Sequence, residues 1–272
     1  MISCVIRTFN EKQYIGELLN ILNIQSIGKK PEIIIVDSGS ADGTIDIVKK
    51  YDVKLIQIKK EEFNYSYALN LGIENCSNEL IAILSGHSIP SDESWMGKMI
   101  SHFDDSKTAA VYSRQIPLPN ADPYEVLRLE RMFGKSASDT SNFSNAACFI
   151  RKSIWQQHPF VIMPAAEDKE WANWAVNRGY KIIYEPDAEV YHSHNESCRK
   201  AAERIIQIER AGDLSINRQR NILITLKQSA GMFVRDISKL PMIQLNACKK
   251  LALIRDCAAR SFWYAYDFNR KE

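Results

Sequence analysis

Residues 33–44 have the sequence IIIVDSGSADGT, in which an apolar run ends at Asp37 and a polar, glycine-containing loop follows. The apolar, β-branched run predicts a buried strand, because such residues fit the interior of a sheet. A helical pattern begins at Thr44 and continues to residue 51. The segment therefore predicts a strand, a loop and a helix, which is the repeating unit of α/β folds.

The same alternation of strand and helix extends to both sides of this segment. The other predicted strands cover residues 3–8, 54–58 and 80–84, and the other predicted helices begin at Asn10 and Ser66. This order predicts a parallel sheet with helices on both faces. Ligands bind such sheets at the carboxyl ends of the strands, where the polar residues 8–11, 37–39 and 85–88 lie.

The pattern is less regular after residue 90, although it still contains strand-like segments. These segments cover residues 109–115, 147–150, 181–184 and 189–192. Pro164 predicts the start of a helix. The polar residues 134–145 predict a mobile loop, which either closes on a substrate as a lid or is simply disordered. From residue 199 to the end, the pattern is helical and basic.

The composition is that of an ordinary globular protein. The chain has 272 residues, of which 45% are hydrophobic and 25% charged, so a sizeable core needs no disulfide. The six cysteines form no CxxC pair, which favours a reducing compartment. We expect a cytoplasmic protein without a signal peptide, at most peripheral on the cytosolic face of a membrane, because no apolar run could span a bilayer.

Charge is unevenly distributed along the chain. Residues 199–272 carry a net charge of +8 and residues 1–198 a net charge of −6, within a total of +2. Basic helices with apolar faces can lie on an anionic membrane surface. The alternative is that they pack on the rest of the chain or form a dimer contact. Nucleic acid is not an expected partner, because no recognised binding module is present.

Five segments together resemble glycosyltransferase family 2. They are VIRTFNE (5–11), IIIVDSGSADGT (33–44), ILSGHSIP (83–90), AEDKEWA (166–172) and VYHSHN (190–195). They occur in the family's order, and they are most similar to its rhamnosyltransferase-like, surface-polysaccharide branch. The resemblance implies a GT-A fold, which is a Rossmann-like, mostly parallel sheet flanked by helices, here with a C-terminal helical extension.

The resemblance also implies a division of the chain. A catalytic domain would cover residues 1–196, with a nucleotide-binding half over residues 1–90 and an acceptor half over residues 91–196. Residues 197–272 would form the basic helical extension. The implied reaction is an inverting transfer of a sugar from a UDP- or dTDP-sugar, with dTDP-rhamnose suggested by the branch, to a glycan or lipid-linked glycan.

The first two motifs would hold the nucleotide. The resemblance places Asp37 at the pyrimidine or ribose and Asn70 near the donor phosphates. Four residues would surround the base: Thr8, Phe9, Asn10 and Glu11. The alternatives are that Asp37 and Asp42 cap a turn and the next helix, and that Asn70 is an ordinary helix-surface residue. Neither a GxGxxG fingerprint nor a P-loop is present.

The third motif departs from the family pattern. Family members usually carry Asp-x-Asp at the end of the fourth strand, where it binds a divalent cation, but this chain has Ser85, Gly86 and His87. His87 stands where the second aspartate would be, and His192 matches the family's late metal-ligand histidine. Imidazole suits Mn²⁺ better than Mg²⁺. Three possibilities stay open: the two histidines hold a metal, they contact the diphosphate directly, or His87 is structural.

The fourth motif would supply the catalytic base. The resemblance places it at Asp168, with Glu167 beside it, at a helix N-terminus that would stabilise the ionised carboxylate. The alternative is that these acidic residues only complement the helix dipole. The candidates for the donor-sugar and acceptor region are Arg114, Gln115, Asn145, Glu167 and Trp171. Trp171 and Trp174 lie three residues apart on a helix, which is more typical of a core than of a sugar platform.

Two other functions are compatible with parts of the sequence. Nucleotidyl transfer predicts a glycine-rich, basic loop after the first strand, and the segment RTFNEKQ does not fit that description. A non-catalytic protein that binds a sugar nucleotide or a glycan would explain the lost Asp-x-Asp. The presence of Asp168 and His192 argues against it, because such a protein would need neither residue.

Overall fold

The computed structural model of the protein describes residues 1–119, 121–135, 142–194, 197–215, 222–238 and 247–270. Residues 136–141 of the predicted loop therefore lie outside the described residues. The chain forms two units. Unit 1 comprises Met1–Ile116, Phe133–Met163 and Glu167–His192, and unit 2 comprises Pro117–Met132, Pro164–Ala166 and Ser193–Glu272. The expected domain division after residue 196 stays a prediction.

A single mixed sheet forms the centre of unit 1. Its strands within the described residues are β1 (Ile2–Thr8), β2 (Glu32–Asp37), β3 (Lys54–Gln57), β4 (Leu80–Ser85), β5 (Ile89–Pro90), β6 (Thr108–Ile116), β7 (Ala147–Arg151) and β8 (Lys181–Tyr191). Their order across the sheet is β3-β2-β1-β4-β7-β6-β8-β5. The α/β architecture predicted from the sequence is confirmed.

The strand directions divide the sheet into two parts. β1 pairs in parallel with β2 and β4, and β2 pairs in parallel with β3, as the strand-helix alternation predicts. β7 runs antiparallel to both β4 and β6, β5 runs antiparallel to β8, and β6 and β8 are parallel. The parallel pairing predicted from the strand-helix alternation is thus present in the β3-β2-β1-β4 part, and the antiparallel strands outside this part make the sheet mixed.

The two predicted strands at residues 181–184 and 189–192 form one strand in the structure. Ser113 pairs with Glu185, and the next residue, Arg114, pairs with Glu189. Residues 186–188 therefore bulge out of β8, which interrupts the apolar pattern without ending the strand. The bulge makes one strand resemble two in the sequence.

The helices surround the sheet or follow it in the chain. Within the described residues they are α1 (Ile15–Asn23), α2 (Thr44–Val48), α3 (Tyr65–Glu74), α4 (Trp95–Ile100), α5 (Pro123–Phe133), α6 (Lys152–Trp155), α7 (Glu167–Asn177), α8 (Cys198–Ser215), α9 (Ile222–Ile237) and α10 (Ala247–Arg270). α1 buries Ile15, Leu18, Leu19 and Leu22, which is the spacing of one helical face.

Two helices begin later than the sequence indicates, and both differences concern the site. α1 begins at Ile15 because Asn10 has a φ of 57°, which is left-handed and incompatible with a helix start there. α7 begins at Glu167 rather than at Pro164, since Ala166 has a φ of 66°. The chain therefore turns sharply immediately before each of these helices.

α3 lies unusually close to the sheet. A Cβ atom at Gly72 would lie 2.4 Å from Cγ1 of Val5 on β1, so only glycine fits this position without movement. Ala68, Leu69 and Ile73 of the same helix are buried. The close contact fixes the position of the helix, and therefore of Tyr65 at its N-terminus.

Unit 2 is helical. Ala202 and Ile206 of α8 pack with Met232 of α9 and Tyr264 of α10. A second cluster joins Leu127 of α5 to Leu253 and Cys257 of α10. Asp236 is buried between Arg131 and Arg260, with which it forms two ion pairs. Across the residues with described structure, none of the helices combines the length and apolar character needed to cross a membrane.

Candidate active site

The carboxyl ends of β1, β2 and β4 meet at one edge of the sheet. Thr8 is paired with Asp37 across β1 and β2, and Arg7 with Ser85 across β1 and β4. A cavity of about 320 Å³ opens at this edge, and ten residues line it: Arg7, Thr8, Phe9, Glu11, Ser38, Lys60, Phe63, Tyr65, Ser85 and His87. The polar residues at the three strand ends thus lie together, as their positions in the sequence predicted.

Only some of the predicted nucleotide-binding residues reach the cavity. They are Thr8, Phe9, Glu11 and His87. Lys60, Phe63 and Tyr65 also line the cavity without having been predicted, although they follow the end of β3, where ligands are expected to bind. Arg7 was not predicted either, because alternation within a buried strand gives no sign that a charged side chain reaches a cavity.

Aromatic rings form one part of the cavity wall. The Phe63 and Tyr65 rings meet edge to face with centroids 5.0 Å apart. Nζ of Lys60 lies 5.5 Å from the centroid of the Phe9 ring. Phe9 and Tyr65 are 40% and 44% exposed, so part of each side chain is accessible to a ligand. Such a wall suits a flat, partly apolar group.

Asp37 organises the loop after β2. Its Oδ1 accepts hydrogen bonds from the backbone N–H groups of Gly39 (3.0 Å) and Ser40 (2.9 Å). Its Oδ2 accepts from the hydroxyl groups of Thr8 (2.7 Å) and Ser40 (2.5 Å). The residue is fully buried. This geometry is that of the turn-capping alternative, and a direct contact between Asp37 and a nucleoside stays a prediction.

Asn10 and Asn70 support the cavity without lining it. Oδ1 of Asn10 accepts a hydrogen bond from the N–H of Ala41 (2.9 Å), which ties the end of β1 to the loop after β2. Nδ2 of Asn70 donates to the carbonyl of Phe160 (2.8 Å), and its Oδ1 accepts from the N–H of Phe160 (3.1 Å). Asn64, the N-cap of α3, similarly donates to the carbonyl of Met163 (2.8 Å). α3 therefore holds the segment that precedes α7.

Gly86 allows the turn after β4 to approach β1. Its N–H donates to the carbonyl of Arg7 (2.9 Å), and a Cβ atom would lie 2.8 Å from Cγ of Glu11. The next residue, His87, directs Nδ1 to Oε1 of Glu11 at 2.7 Å. A carboxylate only accepts hydrogen bonds, so Nδ1 of His87 carries the proton and Nε2 carries the lone pair of the neutral ring.

His192 lies beside His87. The two rings are stacked, with centroids 4.9 Å apart and planes inclined by 11°. Nδ1 of His192 lies 2.8 Å from Oε1 of Gln115, which assigns the same tautomer to this ring. The ligand nitrogens of the two histidines lie within 4.8 Å of each other. Paired imidazoles whose Nδ1 atoms are hydrogen-bonded to oxygen acceptors fit a transition-metal ion.

Two neighbouring carboxylates, Glu167 and Asp168, stand at the start of α7. Oε1 of the buried Glu167 lies 3.8 Å from Nη1 of Arg7 and accepts a long hydrogen bond of 3.4 Å from Nδ2 of Asn145. Burial, together with the neighbouring charge of Glu167, raises the pKa of Asp168 to about 7, against the opposing effect of the Lys169 N–H. A carboxyl with a pKa in this range can exchange a proton near neutral pH.

Arg114 and Trp171, which were also predicted for the donor-sugar and acceptor region, differ in their surroundings. Arg114 forms an ion pair with Glu189 at 2.9 Å, beside the Gln115 that binds His192. Trp171 is fully buried. The centroid of its ring lies 6.0 Å from that of Phe143 and 5.8 Å from that of Phe160. The geometry of Trp171 is therefore that of a core residue, which the spacing of the two tryptophans favoured.

Comparison with known proteins finds glycosyltransferases both by family model and by similarity to individual relatives. The family model described as "Glycosyl transferase family 2" matches residues 3–158. The O-antigen chain rhamnosyltransferase WbaN of Salmonella anatum is 29% identical over 192 residues, which cover 64% of this chain and 60% of that protein. The O-antigen chain rhamnosyltransferase RfbN of Salmonella typhimurium is 26% identical over 223 residues, which cover 75% of this chain and 69% of that protein.

Solved structures share the fold. The mannosyltransferase PcManGT from Pyrobaculum calidifontis, in complex with GDP-Man and Mn²⁺, superposes with a TM-score of 0.68 at 17% identity, over 100% of this chain and 88% of that chain. TarS of S. aureus in complex with UDP has a TM-score of 0.55 at 15% identity, over 98% of this chain and 90% of that chain. These similarities confirm the GT-A fold.

The role of Asp37 in the loop can be measured by its effect on stability. We expect Asp37→Asn to destabilise the protein by about 1–3 kcal/mol. Both carboxylate oxygens of Asp37 accept hydrogen bonds, whereas an asparagine side chain has only one accepting oxygen and would leave buried donors without a partner. Thermal unfolding of the wild type, the variant and the exposed control Asp52→Asn would test this. Equal melting temperatures for all three proteins would contradict the role of Asp37 in holding the loop after β2.

Proposed function

Because the chain belongs to glycosyl transferase family 2, we propose that it is an inverting glycosyltransferase acting in cell-surface polysaccharide synthesis. The donor is a dTDP- or UDP-sugar, and the acceptor is a hydroxyl group of a glycan or lipid-linked glycan. dTDP-rhamnose is the favoured donor, since two relatives are named as O-antigen chain rhamnosyltransferases. One observation supports this function above all: a single cavity contains both an aromatic wall and His87, which stacks on His192.

The two parts of the cavity suit the two parts of a nucleotide diphosphate. The base lies against the wall formed by Phe9, Phe63 and Tyr65, where a planar group buries its faces. The diphosphate lies toward the end of β4, where Ser85 and His87 line the cavity. The loop organised by Asp37 contributes Ser38 to the lining of the cavity. This arrangement supports binding of the whole donor headgroup in one orientation.

His87 and His192 would hold a divalent cation through Nε2, and Mn²⁺ suits their nitrogen ligands better than Mg²⁺. Such a cation, when bound, neutralises the developing charge of the diphosphate leaving group. Glu11 and Gln115 fix the orientation of the two imidazole rings through Nδ1. The second role left open for these histidines is direct contact with the diphosphate.

Asp168 is the proposed catalytic base. It removes the proton from the acceptor hydroxyl as that oxygen attacks the anomeric carbon from the face opposite the diphosphate, which inverts the configuration. The raised pKa makes the carboxylate a stronger base than an ordinary aspartate while leaving it largely ionised above neutral pH. Glu167 contributes to this shift, because a second negative charge nearby opposes ionisation.

We also propose a cytoplasmic location with peripheral membrane contact. Cys4, Cys76 and Cys148 are free and buried, as suits a reducing compartment. One face of α10 exposes Leu251, Arg255, Ala258, Phe262 and Tyr266, which follow one another at helical spacing. Phe262 and Tyr266 are 59% and 43% exposed. This α10 stripe, together with the positive charge of residues 199–272, suits an anionic lipid surface.

The alternative of a non-catalytic binding protein keeps one supporting observation, which is the absence of Asp-x-Asp at residues 85–87. It predicts nucleotide binding without turnover. Donor hydrolysis or sugar transfer by the wild type, lost in Asp168→Asn, decides between the two functions.

The first experiment titrates the protein with UDP and dTDP by calorimetry, with and without Mn²⁺, in wild type and His87→Ala. We expect binding that is strengthened by Mn²⁺ in the wild type and loses this dependence in the variant. Asn20→Ala, on the exposed face of α1, is the control. Binding of equal strength with and without the cation would assign His87 to direct phosphate contact. No binding of either nucleotide would overturn the proposed function.

The base can be tested through Asp168→Asn. We expect the turnover rate to fall by about 10²- to 10⁴-fold with unchanged donor binding, because an amide cannot accept the proton. In the wild type, kcat/KM should fall as the pH drops through the raised pKa of Asp168, since the protonated carboxyl is inactive. An acid limb at the ordinary pKa of an aspartate, or an active Asp168→Asn variant, would contradict the assignment.

Membrane contact can be tested by sedimentation with lipid vesicles. The full chain should sediment with vesicles that contain phosphatidylglycerol and remain in solution with neutral phosphatidylcholine vesicles. The double variant Phe262→Ser, Tyr266→Ser should lose this binding, whereas Val176→Ser, an exposed apolar residue of α7, should retain it. A change in oligomeric state with unchanged sedimentation would instead assign the α10 stripe to a dimer contact.

A further inference from the structure

Four large apolar side chains of unit 1 are exposed along α3 and along the segment that follows α6. They are Tyr65 and Tyr67 of α3, and Val161 and Ile162 of the segment, and Ile162 is 61% exposed. Single exposed apolar residues are ordinary on a protein, whereas several in one area mark a contact surface. These four residues are called the α3 surface below.

Hydrogen bonds hold the two parts of the α3 surface side by side. Nδ2 of Asn64 donates to the carbonyl of Met163 at 2.8 Å. The Asn70 amide binds both backbone groups of Phe160, at 2.8 Å to the carbonyl and 3.1 Å from the N–H. The two residues between Phe160 and Met163 therefore run beside Tyr67, which lies one helical turn from each asparagine. The surface is fixed in place before a ligand arrives, which lowers the entropic cost of binding.

The α3 surface belongs to two stretches of the chain that carry no charged side chains. Residues 63–73 and 153–166 contain no lysine, arginine, aspartate or glutamate, although these four types make up 25% of the chain. Aromatic residues without charged ones are typical of the centre of a binding surface. The lack of cations also argues against an anionic membrane or a nucleic acid as the ligand, because the phosphates of either would find no partner in these stretches.

The α3 surface begins at the candidate active site. Tyr65 lines the cavity and is also part of the surface. Ile162 stands six residues before Asp168 in the chain. In the proposed reaction the acceptor hydroxyl meets Asp168, and the rest of the acceptor glycan lies outside the cavity. The α3 surface is an accessible apolar area that is continuous with the cavity at Tyr65.

We propose that the α3 surface binds the acceptor glycan through uncharged sugar units, an inference that rests on the proposed function. The Tyr67 ring stacks on the C–H face of a sugar ring. Val161 and Ile162 contact apolar groups such as the methyl group of a deoxyhexose, while the sugar hydroxyls face the solvent. A uronate carboxylate would lose hydration here without gaining a cation. The surface therefore favours neutral glycan units and disfavours anionic ones.

An oligosaccharide array tests the proposal with the full chain. The probes are oligosaccharides of neutral hexoses and deoxyhexoses, compared with oligosaccharides of glucuronate and galacturonate. We expect the wild type to bind neutral probes and not the uronates. By calorimetry with the neutral probe bound best, the double variant Tyr67→Ala, Ile162→Ser should bind about 10- to 100-fold more weakly, because it loses an aromatic and a branched apolar contact. Its affinity for UDP and dTDP should be unchanged, since Tyr65, which also lines the cavity, is left intact.

Single substitutions separate ring stacking from apolar contact in general. Tyr67→Phe keeps the ring and should bind the neutral probe like the wild type. Tyr67→Leu keeps apolar bulk without a ring and should bind about 2- to 10-fold more weakly. Val176→Ser, at an exposed apolar residue of α7, is the matched control for Ile162→Ser and should bind like the wild type. Melting temperatures establish that each variant is folded, and the exposed single substitutions replace the double variant should it unfold.

The failures of this proposal and of the proposed function are distinguishable. A wild type that binds UDP or dTDP but no neutral oligosaccharide would overturn the glycan site alone. Equal binding by the wild type and the double variant, or tighter binding of the uronates, would also overturn it. A wild-type dimer that dissociates in the double variant would overturn it by assigning the α3 surface to a second copy of the chain. A wild type that binds neither diphosphate would overturn the proposed function itself.

Discussion

The close approach of Gly86 to β1 is the constraint on which the candidate site depends. With no Cβ atom at residue 86, the turn after β4 lies against the backbone of Arg7 and against the side chain of Glu11. Only from this position does His87 direct Nδ1 to the Glu11 carboxylate and stack on His192. A side chain at residue 86 would displace Glu11, and His87 would lose the carboxylate that orients its ring. The parallel pairing of β1 with β4 holds the turn in this place.

The charges of the site are arranged differently from those of an Asp-x-Asp site. Two carboxylates at residues 85 and 87 would face the diphosphate directly, and they would require a cation to offset their repulsion. Here Glu11 stands behind His87, so that the imidazole rather than a carboxylate is presented. A neutral imidazole held by a carboxylate is a better ligand than a free one, and it becomes a hydrogen-bond donor to phosphate when protonated. A histidine in place of an aspartate thus gives the end of this strand a different chemistry.

The sequence predicts the parts of the structure that depend on periodicity and on strand ends. The order β1-α1-β2, the location of the site and the convergence of Thr8, Asp37 and His87 follow from apolar runs that end in polar residues. Contacts between distant segments could not be predicted, because no local pattern encodes them. The meeting of Arg7 with Glu167 depends on how α3 and α7 approach the sheet. The antiparallel direction of β7 and the bulge in β8 depend on long-range pairing in the same way.

The two asparagines of α3 link parts of the chain that are far apart in sequence. Asn64 and Asn70 bind the backbone at Met163 and Phe160, while Tyr65 between them stands at the cavity. Because both asparagines bind backbone atoms, the position of α3 also sets the position of the segment that leads into α7. One helix thus places an aromatic ring at the cavity and anchors the chain that runs toward Asp168.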